Sequence, residues 1–248
     1  KNMNKINILI LAAGKGTRLG KKTKKKPKIL LKYKNKLLFD YHLDVYKNFK
    51  NATINVVSGY KSKEIKSFIK NKDINQFNNP YYGSTNMYYS FLKAKSLLNE
   101  KKDLLIVYGD IIFKKKTIEN IIKKKSQVVI SVDKKFKSYW YKRMNNPLED
   151  LETLKIKNDL IVEIGKKPKS YNEIHGQYMG IIKISYKYFK NIKNLIKKLN
   201  SKNLNYKNIY FTDFIQYLIN NKTKVRPSYN YGSWQEFDKH IDFRIDNF

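Results

Sequence analysis

The chain has 248 residues, no cysteine, a mean hydropathy of -0.65 and a formal net charge of +33. That length supports a sizeable core, and the missing cysteines exclude a disulfide frame, a thiolate zinc site and a cysteine nucleophile. The charge comes from 49 Lys and only four Arg (Arg18, Arg143, Arg226 and Arg244) spread along the whole chain. A nucleic-acid reader concentrates charge on one face and favours arginine forks, so nucleic acid is not expected as a partner, although anionic substrates should be attracted.

The apolar run Ile6 to Leu11 predicts a buried strand. It ends at Ala12 and Ala13 and gives way to Gly14-Lys15-Gly16-Thr17-Arg18. Glycines 14 and 16 let the backbone turn sharply and offer its N–H groups to an anion, with Lys15, Arg18 and Lys28 adding positive charge. A strand leading into such a turn is how an α/β protein grips nucleotide phosphates. Two familiar loops do not fit. Gly20-Lys21 is followed by Lys22 where a P-loop needs Ser or Thr, and Leu19 stands where a dinucleotide fingerprint needs its third glycine.

Further along, Ile29 to Leu31 predicts a short strand, Leu38 to Phe49 a helix, Thr53 to Val57 a strand and Lys61 to Ile69 a helix. This alternation implies a mostly parallel sheet with helices on both faces. Asn78 to Asn86 is a loop that enters a helix over 87–98. Thr85 or Asn86 either caps that helix or belongs to a loop that touches a nucleotide. Asp103 to Tyr108 predicts a central strand ending in Gly109-Asp110. A carboxylate just past such a strand lies where ligands bind in open α/β sheets, and it suits a hard cation such as Mg²⁺.

A helix over 117–124 and a strand over 127–132 follow, and then the rhythm breaks. The segment 134–152 carries Tyr139, Trp140 and Arg143 beside Glu149 and Asp150. Aromatic faces and acids together either hold an ammonium group or form a small aromatic core beneath a loop. A hairpin is expected over 154–164 around Asn158-Asp159, then a strand after His175, helices over 186–199 and from Phe211, a strand over 223–228, and a last helix entered from Gly232 to Asp238.

The run Leu11-Ala-Ala-Gly-x-Gly-Thr-Arg18, followed nine residues later by Pro27-Lys28, resembles the signature of nucleoside-triphosphate transferases that join a nucleotide to a phosphorylated molecule. The resemblance spans essentially the whole chain. Its middle part, from Trp140 to Lys155, Glu163 to Lys167 and Gly176 to Gly180, is similar to the cytidylyltransferase branch acting on phosphocholine or phosphonates. It implies a Rossmann-like, mostly parallel sheet of the nucleotide-diphospho-sugar transferase type. One nucleotidyltransferase domain would cover 1–248, with a substrate-facing insertion at about 134–180. A chain that begins at Lys1 is also open to being an excised piece of a longer one.

By that resemblance, Leu11, Ala12, Ala13, Gly14, Lys15, Gly16, Thr17, Arg18, Lys28, Thr85, Asn86, Ser90 and Asp110 would bind the nucleotide. Asp110 and Asp238 would hold Mg²⁺, with Glu236 in reserve. Arg18, Lys28 and Lys167 would neutralise the reacting phosphates, and Tyr139, Trp140, Arg143, Glu149, Asp150, Lys166 and Tyr178 would face the acceptor. The implied reaction is Mg²⁺-dependent transfer of CMP from CTP to a small phosphonate or phosphorylated acceptor. The alternatives are a sugar-1-phosphate uridylyl- or guanylyltransferase and a non-catalytic nucleotide-binding module. A cytoplasmic protein without a membrane partner is expected, since no apolar run reaches spanning length. The oligomeric state is open, a homodimer included.

Overall fold

The computed structural model describes residues 5–248. Its strands are β1 (Ile6–Ala12), β2 (Lys32–Tyr33), β3 (Lys36–Leu37), β4 (Ala52–Ser58), β5 (Ile74–Asn78), β6 (Asp103–Tyr108), β7 (Ile111–Phe113), β8 (Val128–Asp133), β9 (Leu154–Lys157), β10 (Leu160–Ile164), β11 (Gln177–Ile184), β12 (Val225–Asn230) and β13 (Trp234–Glu236). The helices are α1 (Leu38–Tyr46), α2 (Ser62–Ile69), α3 (Met87–Lys93), α4 (Lys115–Lys123), α5 (Phe136–Arg143), α6 (Phe189–Lys202) and α7 (Phe211–Asn220).

Alternation along β1 explains the layering. Ile6, Ile8 and Ile10 join one apolar cluster, and Leu9 and Leu11 join the other. A strand buried on both faces belongs in the middle of a sheet covered by helices. The first cluster takes in Phe39 and Val45 of α1, Ile65 of α2, Ile118 of α4 and Trp140 of α5. The second takes in Tyr88 of α3, Ile192 of α6 and Phe214 of α7.

The central sheet has seven strands in the order β12-β8-β11-β6-β1-β4-β5. Pairing is parallel except for β11, which runs antiparallel to both β6 and β8. The chain leaves β1 towards β4 on one side, while β6 pairs with β1 on the other. The loops after β1 and β6 therefore emerge side by side at a topological switch point, where open α/β sheets form their binding crevice. The Gly109 N–H donates to the Leu11 carbonyl at 2.9 Å and ties the two exits together.

The mostly parallel sheet flanked by helices is as expected. Several local expectations are corrected. Residues 29–31 do not form a strand. Lys28–Leu30 is one 3-10 turn, closed by Leu30 N–H on Pro27 O and Leu31 N–H on Lys28 O, and pairing starts only at β2. The helix expected over 87–98 is α3 followed by a separate 3-10 turn, Lys95–Asn99. The segment from Gly232 to Asp238 is not a helix. Its Trp234–Glu236 pairs antiparallel with β7, and only His240–Phe243 makes a 3-10 turn. Both strands are three residues long, too short for any periodicity to mark them. Among the described residues no helix is long and apolar enough to cross a membrane.

Candidate active site

The loop after β1 builds the floor of a cleft of about 500 Å³. Leu11, Ala12, Ala13, Gly14 and Gly16 line it, facing Lys28, Met87, Ser90, Gly109 and Asp110. Gly16 sits at φ +63°, a left-handed conformation that favours glycine. A Cβ at 16 would also lie 3.2 Å from Lys28 Cε, so this glycine seats the lysine chain. Gly14 has open space where its Cβ would be, on the side a ligand must approach.

Lys28 Nζ donates to Asp110 Oδ2 at 2.9 Å and to Asp238 Oδ1 at 3.0 Å. Arg18 Nη1 bonds the other oxygen of Asp238. Asp110 follows β6, and Asp238 follows β13, just after Phe237, whose N–H donates to Asp110 O at 2.8 Å. Burial alone would depress the ammonium of Lys28, but the charges of Asp110 and Asp238 hold its pKa well above the ordinary lysine value. Burial alone would raise Asp238, yet the Lys28 charge and the bonds from Arg18 and Lys28 keep it below the usual aspartate range.

Two carboxylates from separate elements converge on a single cationic nitrogen, so the site is shaped for positive charge with hard oxygen donors. Asp110 and Asp238 would hold Mg²⁺, and phosphate oxygens and water would complete its shell. Bound there, the metal would supply neutralisation of phosphate charge.

Asp238 is itself held from behind. Asp242 is fully buried, and its Oδ2 accepts the N–H groups of Asp238 at 2.8 Å and Lys239 at 2.7 Å. Arg143 grips Asp242 through Nε at 2.8 Å and reaches Glu236 through Nη1 at 2.9 Å. Its guanidinium lies over the Trp140 ring, 4.9 Å from the centroid. Burial by itself pushes the Glu236 carboxyl up, and the charges of Asp110, Asp238 and Asp242 add to that against Arg143, carrying it to about 7.

The remaining expected site residues divide sharply. Lys15 and Thr17 are exposed and do not line the cleft. Thr85 and Asn86 do not line the cleft; Thr85 Oγ1 donates to Tyr81 O at 2.8 Å and Asn86 Nδ2 to Asn208 O. Tyr139 and Trp140 do not face an acceptor. They are buried on α5 and packed edge-on, with Tyr139 also against Trp234, so neither ring face is open to an ammonium. Arg143 is likewise inside. Asp150 accepts Trp140 Nε1 at 3.2 Å and Glu149 accepts Asn146 Nδ2 at 3.0 Å, so both stitch the insertion together. Lys166 pairs with Glu163 at 2.6 Å, and Lys167 donates to Glu149 O at 2.6 Å. Of the acceptor-facing candidates, only Tyr178 lines the second hollow, which opens beside the cleft and shares Met87 with it. That hollow also exposes Glu152, a residue the sequence did not distinguish from its acidic neighbours at 149 and 150.

The chain belongs to the MobA-like NTP transferase domain family, whose model matches residues 8–197. It is 37% identical to CTP:phosphoglutamine cytidylyltransferase of Campylobacter jejuni over 97% of this chain and 98% of that protein. It is 28% identical to the bifunctional protein GlmU of Buchnera aphidicola over 86% of this chain, but spans only 43% of that protein. Among solved structures, its fold is shared by CTP:phosphocholine cytidylyltransferase (LicC) of Streptococcus pneumoniae, with a TM-score of 0.74, 19% identity and coverage of 97% of this chain and 96% of that one. The inositol-1-phosphate CTP transferase of T. maritima shares it at a TM-score of 0.73 and 18% identity, covering 95% and 90%.

Proposed function

We propose that this chain transfers CMP from CTP to a small phosphorylated acceptor, with Mg²⁺, and releases pyrophosphate. The observation that carries the reading is the Asp110–Lys28–Asp238 arrangement at the mouth of the glycine loop. The substrate named for the Campylobacter relative supports CTP as the donor.

The acceptor brings its own nucleophile, an anionic phosphate or phosphonate oxygen. That oxygen attacks the α-phosphorus in line, the bond from the α-phosphorus to the bridging oxygen breaks, and pyrophosphate leaves with the electron pair. No protein base is required, because no proton is removed. The barrier is the repulsion of two anions, so the residues must position and neutralise. Arg18, Lys28 and the N–H groups of the loop hold the triphosphate, and Asp110 and Asp238 would hold the metal, which would supply neutralisation of phosphate charge. Lys28 is well placed to exchange its carboxylates for phosphate oxygens when the nucleotide and metal enter.

The test is pyrophosphate release, crossing CTP, UTP, GTP and ATP against phosphoglutamine, phosphocholine, 2-aminoethylphosphonate and glucose 1-phosphate, with and without Mg²⁺. Release with CTP and one small phosphoryl compound is expected. Release only with UTP or GTP and glucose 1-phosphate would replace CMP transfer with sugar-nucleotide synthesis.

A further inference from the structure

Asp238 lies just past the end of β13, outside any regular element. Strand pairing does not fix it, yet its carboxylate has to meet that of Asp110 around one ion. The backbone around it is held by other means. Four successive N–H groups, 236 to 239, each reach a fixed partner. Glu236 N–H donates to Tyr139 Oη at 2.9 Å and Phe237 N–H to Asp110 O at 2.8 Å. The N–H groups of Asp238 and Lys239 both end on Asp242 Oδ2, at 2.8 and 2.7 Å. One of these bonds ties the segment to the other metal-binding aspartate, and two tie it to a single carboxylate.

That carboxylate is more than a cap. An acidic side chain in the first turn of a short helix can cap it from the surface, in water and without a cation. Asp242 is fully buried instead. Arg143, with its side chain 1% exposed, comes to it from α5, 99 positions away in the sequence. Its Nε donates to Oδ1 at 2.8 Å and its Nη2 to Oδ2 at 3.3 Å, while Nη1 donates to Glu236 Oε2 at 2.9 Å. Burying such a pair gains little stability over apolar side chains of similar size, because both charges leave water. What a planar fork does supply is direction, since it fixes how the carboxylate lies. On the same helix Tyr139 accepts the Glu236 N–H, and the Trp140 ring lies beneath the guanidinium. The three α5 residues expected from the sequence to face an acceptor thus all bear on the segment that carries Asp238.

We propose that Arg143 and Asp242 are positioning residues of the transfer reaction. Through the backbone of Asp238 they set the separation of the two carboxylates that would hold the divalent metal. The inference rests on the transferase reading above and deepens it, because it names what fixes that site. Neither residue lines the nucleotide cleft, so both act through Asp238. Loss of the clamp should therefore weaken metal binding and leave the grip of the glycine loop on the nucleotide intact.

Equilibrium binding of Mn²⁺, read by its paramagnetic resonance in the full chain with a non-hydrolysable CTP analogue, tests this without turnover. Asp242→Asn should raise the Mn²⁺ dissociation constant about tenfold or more, while metal-free binding of the CTP analogue stays unchanged. Arg143→Lys keeps the buried positive charge but loses the fork, so it should weaken Mn²⁺ in the same direction by a smaller factor. Being the gentler change, it decides if Asp242→Asn does not fold. The Mg²⁺ concentration for half-maximal pyrophosphate release should rise in step with the Mn²⁺ constant. Unchanged Mn²⁺ affinity in a folded variant overturns the proposal. So does an equal loss of metal-free nucleotide binding, which would mean that the whole cleft is disturbed. Weakened Mn²⁺ binding in the variants of a chain that releases no pyrophosphate would overturn the transfer reading alone. Release by the unaltered chain, with metal affinity untouched in the variants, would overturn the clamp alone.

Discussion

The two hollows that meet at Met87 follow opposite electrostatic plans. In the nucleotide cleft each charge is already answered, since Lys28 lies between Asp110 and Asp238 and Arg18 closes on Asp238. In the second hollow Glu152 has no counter-ion among the described residues. A compensated cluster is stable when empty and can exchange partners when phosphates and a metal arrive. A largely buried carboxylate without a counter-ion is a cost to the empty protein at neutral pH. The difference teaches that, where lysine is everywhere, the few acids set the local charge of each hollow.

Arg143 joins the two plans. It holds Glu236 in the wall of the second hollow and Asp242 behind the backbone of Asp238. Arg143→Met should therefore have the largest effect, since it leaves the fully buried Asp242 uncompensated, at a cost of about 3–5 kcal/mol. Denaturant unfolding measures it, and an unchanged midpoint would mean that the hollows stand independently. Next come Asp110→Asn and Lys28→Ala, which break the compensated cluster directly. Each should lower turnover by about two orders of magnitude or more with the circular dichroism spectrum retained. Normal turnover in either would remove that residue from the chemistry.

What the sequence revealed and what it hid follow from how local each feature is. The floor of the cleft is written in consecutive residues, from Leu11 to Gly16, and Lys28 and Asp110 are flagged by their neighbours Pro27 and Gly109. The strands that place them are unbroken apolar runs. The β7–β13 pairing is invisible because two three-residue strands, 120 or so positions apart in the chain, become strands only by meeting. Tyr139 and Trp140 were open to two readings, and the structure chose the aromatic core, because composition does not say which face of α5 turns inward. Glu152 went unseen beside Glu149 and Asp150 for a similar reason. Only the fold decides which of three nearby acids reaches the hollow.

Gly16→Ala probes the cleft more gently. A left-handed φ of +63° should cost a residue with a Cβ about 1 kcal/mol, and the added carbon would press on Lys28. A modestly lower melting temperature together with a raised KM for CTP is expected. A stability loss with an unchanged KM would mean that the lysine tolerates the displacement.

The smallest effect is also the sharpest contrast, and it is read from pH. Asp238 has its pKa lowered in the folded protein, so its contribution to stability is fully present above the ordinary aspartate range and disappears as pH falls through the lowered value. Glu152 has its pKa raised, chiefly by burial, so the folded state binds its proton more tightly than the unfolded chain does. Its ionised form therefore costs stability at neutral pH, and acidification relieves that cost. Asp238→Asn should melt below the unaltered protein at about pH 8, and Glu152→Gln above it. The Glu152 difference should shrink towards about pH 4, where ordinary carboxylates take up their protons, and the Asp238 difference only below it. Melting temperatures of the ligand-free proteins across that range supply the curves. Differences of the same sign would show that the second hollow is electrostatically satisfied when empty.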